Sequence, residues 1–409
     1  MKKIILIILF FSPLFLFSQT NGVQFENAEN QLKNKEYKAC LESYIKEFKK
    51  ETGSGQNYYD ASICAAKNNN INLSFNYLEK AIKSKHIYLN SIVTNKDLEI
   101  LHTDKRWLSI LKKIKKAYKE FTQTPLTQEQ QKELIDYVNQ SIAAVYFDKE
   151  KGNDLQKILL NTDFGNLPPK VIVKKIKKKL VSEANDIHFH VGVQKLSLKT
   201  ELEKTPLEKV NHNGGFSEVR FLKGNIGYIK WDRCIADEIA YSKLVAALIF
   251  LKDCDALIFD ITNNPGGNGA ISGFIFTHLF KSKKHQTLLQ KKCKGETEWR
   301  TSEVPFNYTN GPKFYDTPVY IMTSKNTGSA AEYFAFTLQE LKRGKVIGQT
   351  TAGAGNPVLK ILFGNYFAYV PNCEIRTKDG KSIEAKGVVP DIEMEDEYTI
   401  DDVLKVIKK

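Results

Sequence analysis

The chain has 409 residues, of which 42% are hydrophobic and 26% charged, and 60 basic against 47 acidic residues leave a net charge of +13. This composition is that of an ordinary globular chain, for which disorder is not the default, and the length allows two or three domains with a real core. Much of the positive charge sits in runs such as Lys174–Lys179 and Lys281–Lys284, which lack interleaved aromatics. They read as solvated helix faces, so no nucleic-acid partner is expected.

At the N-terminus Lys2 and Lys3 precede an apolar run from Ile4 to Phe17, and Ser18-Gln19 offers a small residue for cleavage. That pattern predicts a secretory signal peptide over residues 1–18. No cysteine follows the run, so a lipid-modified terminus is not expected. No later stretch approaches the ~18 apolar residues of a membrane span. The mature protein is therefore expected outside the cytoplasm, periplasmic or extracellular. The six cysteines form no CxxC or His/Cys cluster, so neither a metal nor a cofactor is expected. Export permits disulfides, but no pairing follows from spacing; Cys40 and Cys64 read as small core residues.

Residues 19–121 read as an all-α domain. Tyr37, Cys40, Tyr44 and Phe48 follow helical spacing, and Ile71, Ser74, Leu78 and Ile82 repeat it 34 residues later. That period resembles tetratricopeptide helix pairs. It leaves these roles open: docking of a protein partner or of the adjacent domain, or a helical spacer. Thr122-Gln-Thr-Pro-Leu-Thr127 breaks the pattern and opens a second helical part, 122–192. Thr127 is expected to cap a helix through Leu134, Ile135, Val138, Ile142 and Val145. Leu167-Pro-Pro169 leads to another helix through Val173, Ile176, Leu180 and Val181. The period then switches from 3.6 to 2, which places His188 and His190 on one face of a strand.

Residues 193–409 alternate strands and helices. The strand Ile226–Trp231 leads to a helix through Ile239, Leu244, Leu248 and Leu251, and the buried strand Asp255–Ile261 runs into Asn263-Asn264-Pro-Gly266-Gly267. This order predicts βαβ units and a mixed, partly parallel sheet. The glycines lack the spacing of a phosphate loop; they read instead as free backbone donors able to hold an oxyanion. Further on, the apolar strand Pro318–Met322 enters Thr323-Ser-Lys-Asn-Thr-Gly-Ser329-Ala-Ala-Glu332, and a helix follows from Tyr333. A serine there is either an ordinary N-cap or a nucleophile backed by free amides and a helix dipole. Glu384 sits among strand-like residues before the turn Gly387-Val-Val-Pro390-Asp391.

Four separated motifs then fall into one order: Asp186-Ile-His188, Asp260-Ile-Thr-Asn-Asn264-Pro-Gly266-Gly267, Thr327-Gly-Ser329-Ala-Ala-Glu332, and Ile383-Glu384 before Gly387. On these the chain from about Thr127 to Lys409 resembles the S41 family of serine peptidases, the tail-specific or C-terminal processing protease group. Within it the similarity is to the branch of tricorn core protease and interphotoreceptor retinoid-binding protein-like domains. The resemblance implies an α/β, ClpP/crotonase-like core behind the all-α N-terminal domain, and a polypeptide substrate. It implies Ser329 as nucleophile, His188 as general base and Glu384 as its supporting carboxylate. The Ala330 amide with that of Gly266 or Gly267 would form the oxyanion hole. Two departures follow. Ala354 stands where processing proteases carry their lysine base, so activation of Ser329 falls to His188. About 35 residues separate His190 from Gly224, too few for the PDZ domain of many relatives, since a small domain needs at least ~50. Alternatives remain a catalytically inactive binder of peptides or apolar ligands on the same fold and a scaffold led by the N-terminal helices.

Overall fold

A computed structural model describes residues 22–50, 53–84, 88–196, 198, 212–302 and 311–407; the expected signal peptide lies outside them. Helices α1 (Gly22–Lys33), α2 (Tyr37–Glu47), α3 (Gly55–Lys67) and α4 (Ile71–Lys83) pack in succession. Thus α2 and α4 begin at the residues that opened the two copies of the sequence pattern. A short helix α5 (Leu89–Thr94), a 3-10 turn and α6 (Trp107–Gln123) close this unit over Leu98, Leu101 and Trp107. Cys40 and Cys64 are fully buried as expected, but they are joined as a disulfide between α2 and α3.

Next come α7 (Gln128–Val145), α8 (Lys149–Leu160) and α9 (Pro169–Ala184). The expected cap is present: Thr127 and Gln130 bond reciprocally, side chain to amide, at 3.0 and 3.2 Å. Proline at the first turn of α9 costs no hydrogen bond, and Asn185 ends the helix in the left-handed region at φ 52°. Lysines 174, 175 and 178 are exposed on α9, whereas Lys281–Lys284 lie in a surface turn rather than on a helix. The apolar faces of α7–α9 cover a three-stranded antiparallel sheet in which β1 (His190–Val193) pairs with a strand at 366–371 and that strand with one at 358–363. A boundary at residue 192 would cut through one core: Leu134, Ile142, Ile176 and Phe189 share a cluster with Phe363, Ala368 and Val370.

The main sheet is built from β2 (Phe216–Leu222), β3 (Ile226–Trp231), α10 (Glu238–Phe250), β4 (Ala256–Asp260) and α11 (Ala270–Leu279). A short helix α12 (His285–Leu288) precedes β5 (Leu289–Cys293) and β6 (Arg300–Thr301). Then follow β7 (Val319–Thr323), α13 (Ala330–Glu340), β8 (Gly344–Gly348), β9 (Val358–Phe363), β10 (Tyr366–Pro371), β11 (Cys373–Thr377), β12 (Ile392–Glu393) and α14 (Ile400–Ile407). Six strands lie in the order β12-β8-β7-β4-β3-β2, parallel except for the β2–β3 hairpin, as a mixed sheet with βαβ units requires.

Alternation along the strands sets the two faces. Ile229, Trp231, Leu257, Phe259, Ile321 and Val346 meet α10, α11 and α13 on one side, while Tyr228, Ile258, Met322 and Ile347 meet α14 on the other. Ile239, expected in the buried stripe of α10, is instead 41% exposed; Ala240 and Ala247 take its place against the sheet. A second disulfide, Cys293–Cys373, joins β5 to β11. Among the described residues no helix is long and apolar enough to cross a membrane.

Candidate active site

The parallel strands β4 and β7 end side by side, and the loops leaving them carry the glycine turn and Ser329. A buried asparagine ties these loops together. Asn264 accepts the Gly266 amide at 2.9 Å on its side-chain oxygen and donates to the Trp231 carbonyl at 2.9 Å. Its own carbonyl accepts the Gly328 amide at 2.9 Å, one residue before Ser329. The expectation that Gly266 offers a free amide is thereby corrected, because that N–H is already spent on Asn264. Gly266 contributes absence of bulk instead: a Cβ there would lie 2.7 Å from the Ser329 Cβ and 2.9 Å from the Ala330 nitrogen. Gly267, at φ 141°, follows with no room for a side chain beside the Cys234 carbonyl. Among the described residues no acceptor is recorded for the Gly267 or Ala330 amide.

Ser329 occupies the N-cap position of α13 with φ 53° and ψ −121°. A non-glycine residue reaches that region at a cost of roughly 1–3 kcal/mol, and such residues gather at functional sites. The strain is held by Glu332, whose carboxylate accepts the Ser329 amide at 2.7 Å, the Gly353 amide at 2.7 Å, the Ala354 amide at 2.8 Å and the Thr351 hydroxyl at 2.5 Å. Glu332 is fully buried, and burial raises its pKa against the lowering pull of these donors. The motif displayed Glu332, but spacing could not reveal that it anchors a loop some twenty residues away.

That loop leads to the second cluster. Glu384 accepts the Gly355 and Asn356 amides at 2.7 and 2.6 Å, so it sits in a turn tied to the loop rather than on a strand. His188 also lies in a turn, before β1, and does not share a strand face with His190. Asp186 shapes that turn by accepting the His188 amide at 2.9 Å. His190 stacks on Phe367 and meets Tyr369 edge-on, a packing role. The His188 Nδ1 atom stands 3.6 Å from a Glu384 oxygen and 3.9 Å from an Asp186 oxygen. Asn356 donates to the other Asp186 oxygen at 2.9 Å. Burial, then the neighbouring Glu384 charge, push the Asp186 carboxyl up to about 6.

The chain thus brings His188 and Glu384 together and adds Asp186, which was visible in the motif but not assigned a task. Ser329 reaches them through Glu332 and the loop 351–356; among the described residues no hydrogen bond joins its Oγ to His188. Ala354 lies within this loop, its amide on Glu332.

The sequence model of Peptidase family S41 matches residues 225–394. A carboxyl-terminal-processing protease of Synechocystis sp. is 27% identical over 171 residues, covering 41% of this chain and 37% of that protein. A probable CtpA-like serine protease of Staphylococcus haemolyticus is 23% identical over 302 residues, covering 69% and 58%. The chain therefore spans about 37–58% of the length of these curated relatives. Among solved structures, a lipoprotein from Streptococcus agalactiae aligns with a TM-score of 0.46 at 17% identity, covering 69% of this chain and 97% of that one. The tricorn protease aligns at 0.45 and 14% identity, covering 68% and 36%. The likeness to peptidase family S41 is thus carried by residues 225–394.

Proposed function

We propose that the protein is an exported serine-type endopeptidase that cleaves polypeptides through an acyl-enzyme. Ser329 Oγ attacks the scissile carbonyl carbon and gives its proton to Nε2 of His188, which returns it to the leaving amine. Glu384, on the Nδ1 side of the ring, orients the imidazole and offsets its charge. The oxyanion falls to the amides of Gly267 and Ala330, at the positive end of α13. The observation that carries this reading is the strained backbone of Ser329 at a strand-to-helix crossing, a conformation an ordinary N-cap does not need. Export is supported by the apolar N-terminal sequence and by two disulfides, which persist in oxidising compartments. The N-terminal helix pairs suit docking of a partner protein.

A non-catalytic peptide or apolar-ligand binder is the second reading, favoured by the missing Ser329–His188 hydrogen bond. Unliganded active sites often hold such pairs apart, so reactivity decides. A fluorophosphonate probe should label the wild type and spare Ser329→Ala. A folded wild type that stays unlabelled would favour the binder.

A further inference from the structure

A serine peptidase site needs one carboxylate behind its histidine, and this site has two. Asp186 and Glu384 both face Nδ1 of His188, and one ligand atom from each of the three residues lies within 4.8 Å of the others. The residues are enclosed: their side chains are 3%, 14% and 13% exposed for Asp186, Glu384 and His188. Among the described residues no lysine or arginine pairs with either carboxylate. Two enclosed carboxylates without a cation are costly. The Nδ1 atom and the second Glu384 oxygen are buried without a hydrogen-bond partner. What the pocket lacks is a positive centre that accepts nitrogen and oxygen donors together.

We propose that Asp186, His188 and Glu384 form a zinc site that switches the peptidase off. Imidazole nitrogen and carboxylate oxygen are both zinc ligands, and three protein donors leave a fourth position for water. Donor atoms around a tetrahedral zinc with bonds of about 2.0–2.1 Å sit roughly 3.3–3.5 Å apart. The observed 3.6 and 3.9 Å separations from Nδ1 lie near that range, and the two carboxylate oxygens, within 4.8 Å of each other, draw together to complete it. Magnesium and calcium fit poorly, because they favour six or more oxygen ligands. Zinc takes the Nδ1 lone pair, so the ring proton must reside on Nε2. That nitrogen then donates rather than accepts and cannot take the Ser329 proton. The inhibitory half of this inference rests on the peptidase reading; the binding half does not.

The test uses the full chain and Zn2+ as the probe. Calorimetry on Ser329→Ala, which keeps all three donors, should show one zinc bound with micromolar or tighter affinity and no competition from Mg2+ or Ca2+. Adding Asp186→Asn or His188→Ala should weaken binding at least about tenfold, as losing even an outer partner of a metal does. Circular dichroism confirms that each variant is folded, and Co2+ absorption of tetrahedral intensity in Ser329→Ala gives a reading free of further substitutions. On the wild type, zinc should abolish fluorophosphonate labelling and EDTA should restore it. Absence of stoichiometric binding, or binding unchanged by both donor substitutions, overturns the site. Binding without loss of labelling overturns the switch. A wild type that never labels but binds zinc through His188 refutes the peptidase reading and leaves the site standing.

Discussion

Ser329 is held where glycine would rest at no cost. Its φ of 53° with ψ of −121° belongs to the region that only glycine enters freely. Ser329→Gly should therefore stabilise the fold by about 1 kcal/mol relative to Ser329→Ala, which keeps the strain; urea denaturation of the two variants compares them directly. Equal stabilities would mean the backbone relaxes and the strained reading is wrong. Glu384 invites a kinetic test at the same scale. Glu384→Gln keeps an oxygen for the Gly355 and Asn356 amides but loses the charge facing His188. It should lower kcat by one to several orders of magnitude, up to about 10⁴-fold, with little change in KM. Glu393, exposed on β12, is the control, and its change to Gln should leave both constants alone. Matching kinetics for the two variants would remove Glu384 from the mechanism.

At the scale of elements, one carboxylate fastens the start of α13 to the loop after β8. Glu332 serves four donors, three of them backbone amides. Each buried donor left unsatisfied costs about 1–3 kcal/mol, so Glu332→Ala should destabilise the chain by about 3 kcal/mol or more. Loss of less than 1 kcal/mol in a denaturant titration would show that water replaces it freely. In α3, Asp60 accepts from Gln56 at 2.8 Å, yet burial pushes its carboxyl up to about 7. The sign follows from linkage: protonated Asp60 is favoured in the fold, so its stabilising contribution is complete below about 4 and lost as pH rises through 7. Asp60→Asn should melt higher than the wild type at pH 8 and no higher at pH 4; the same difference at both would exclude titration of Asp60 as its cause. Elements of this kind were legible where one period ran long enough. Helices α7, α9 and α13 and strands β3, β4 and β7 stand where apolar spacing put them. Short-range patterns failed at Asp186–His190, where alternation suggests a strand but an Asp186 side chain folding back on the His188 amide makes a turn.

At the scale of the molecule, the site is assembled from distant pieces. Asn356 and Asp186 meet across 170 residues, a contact that no periodicity encodes. The order of the four motifs announced which residues belong together; their geometry, the second carboxylate and the disulfide partners came from the fold. The family match begins at residue 225, so His188 is delivered from the preceding helical layer, whose core is shared with β9 and β10. The N-terminal helices attach to the same layer: Asn365 accepts the Leu89 amide at 3.2 Å, Tyr118 donates to the Gln194 carbonyl at 2.8 Å, and Phe121 packs edge-on against Tyr366. A partner held by those helices would thus lie one layer from His188.

The central claim is that Ser329 is a nucleophile activated by His188. Mass spectrometry of fluorophosphonate-treated, metal-free protein tests it most directly. The adduct should form on Ser329 in the wild type, be absent from Ser329→Ala, and form at least about 100-fold more slowly in folded His188→Ala, since a positioned base contributes about 10²–10⁴-fold. A folded wild type with no adduct at Ser329, or a His188→Ala rate equal to the wild type, would contradict the account.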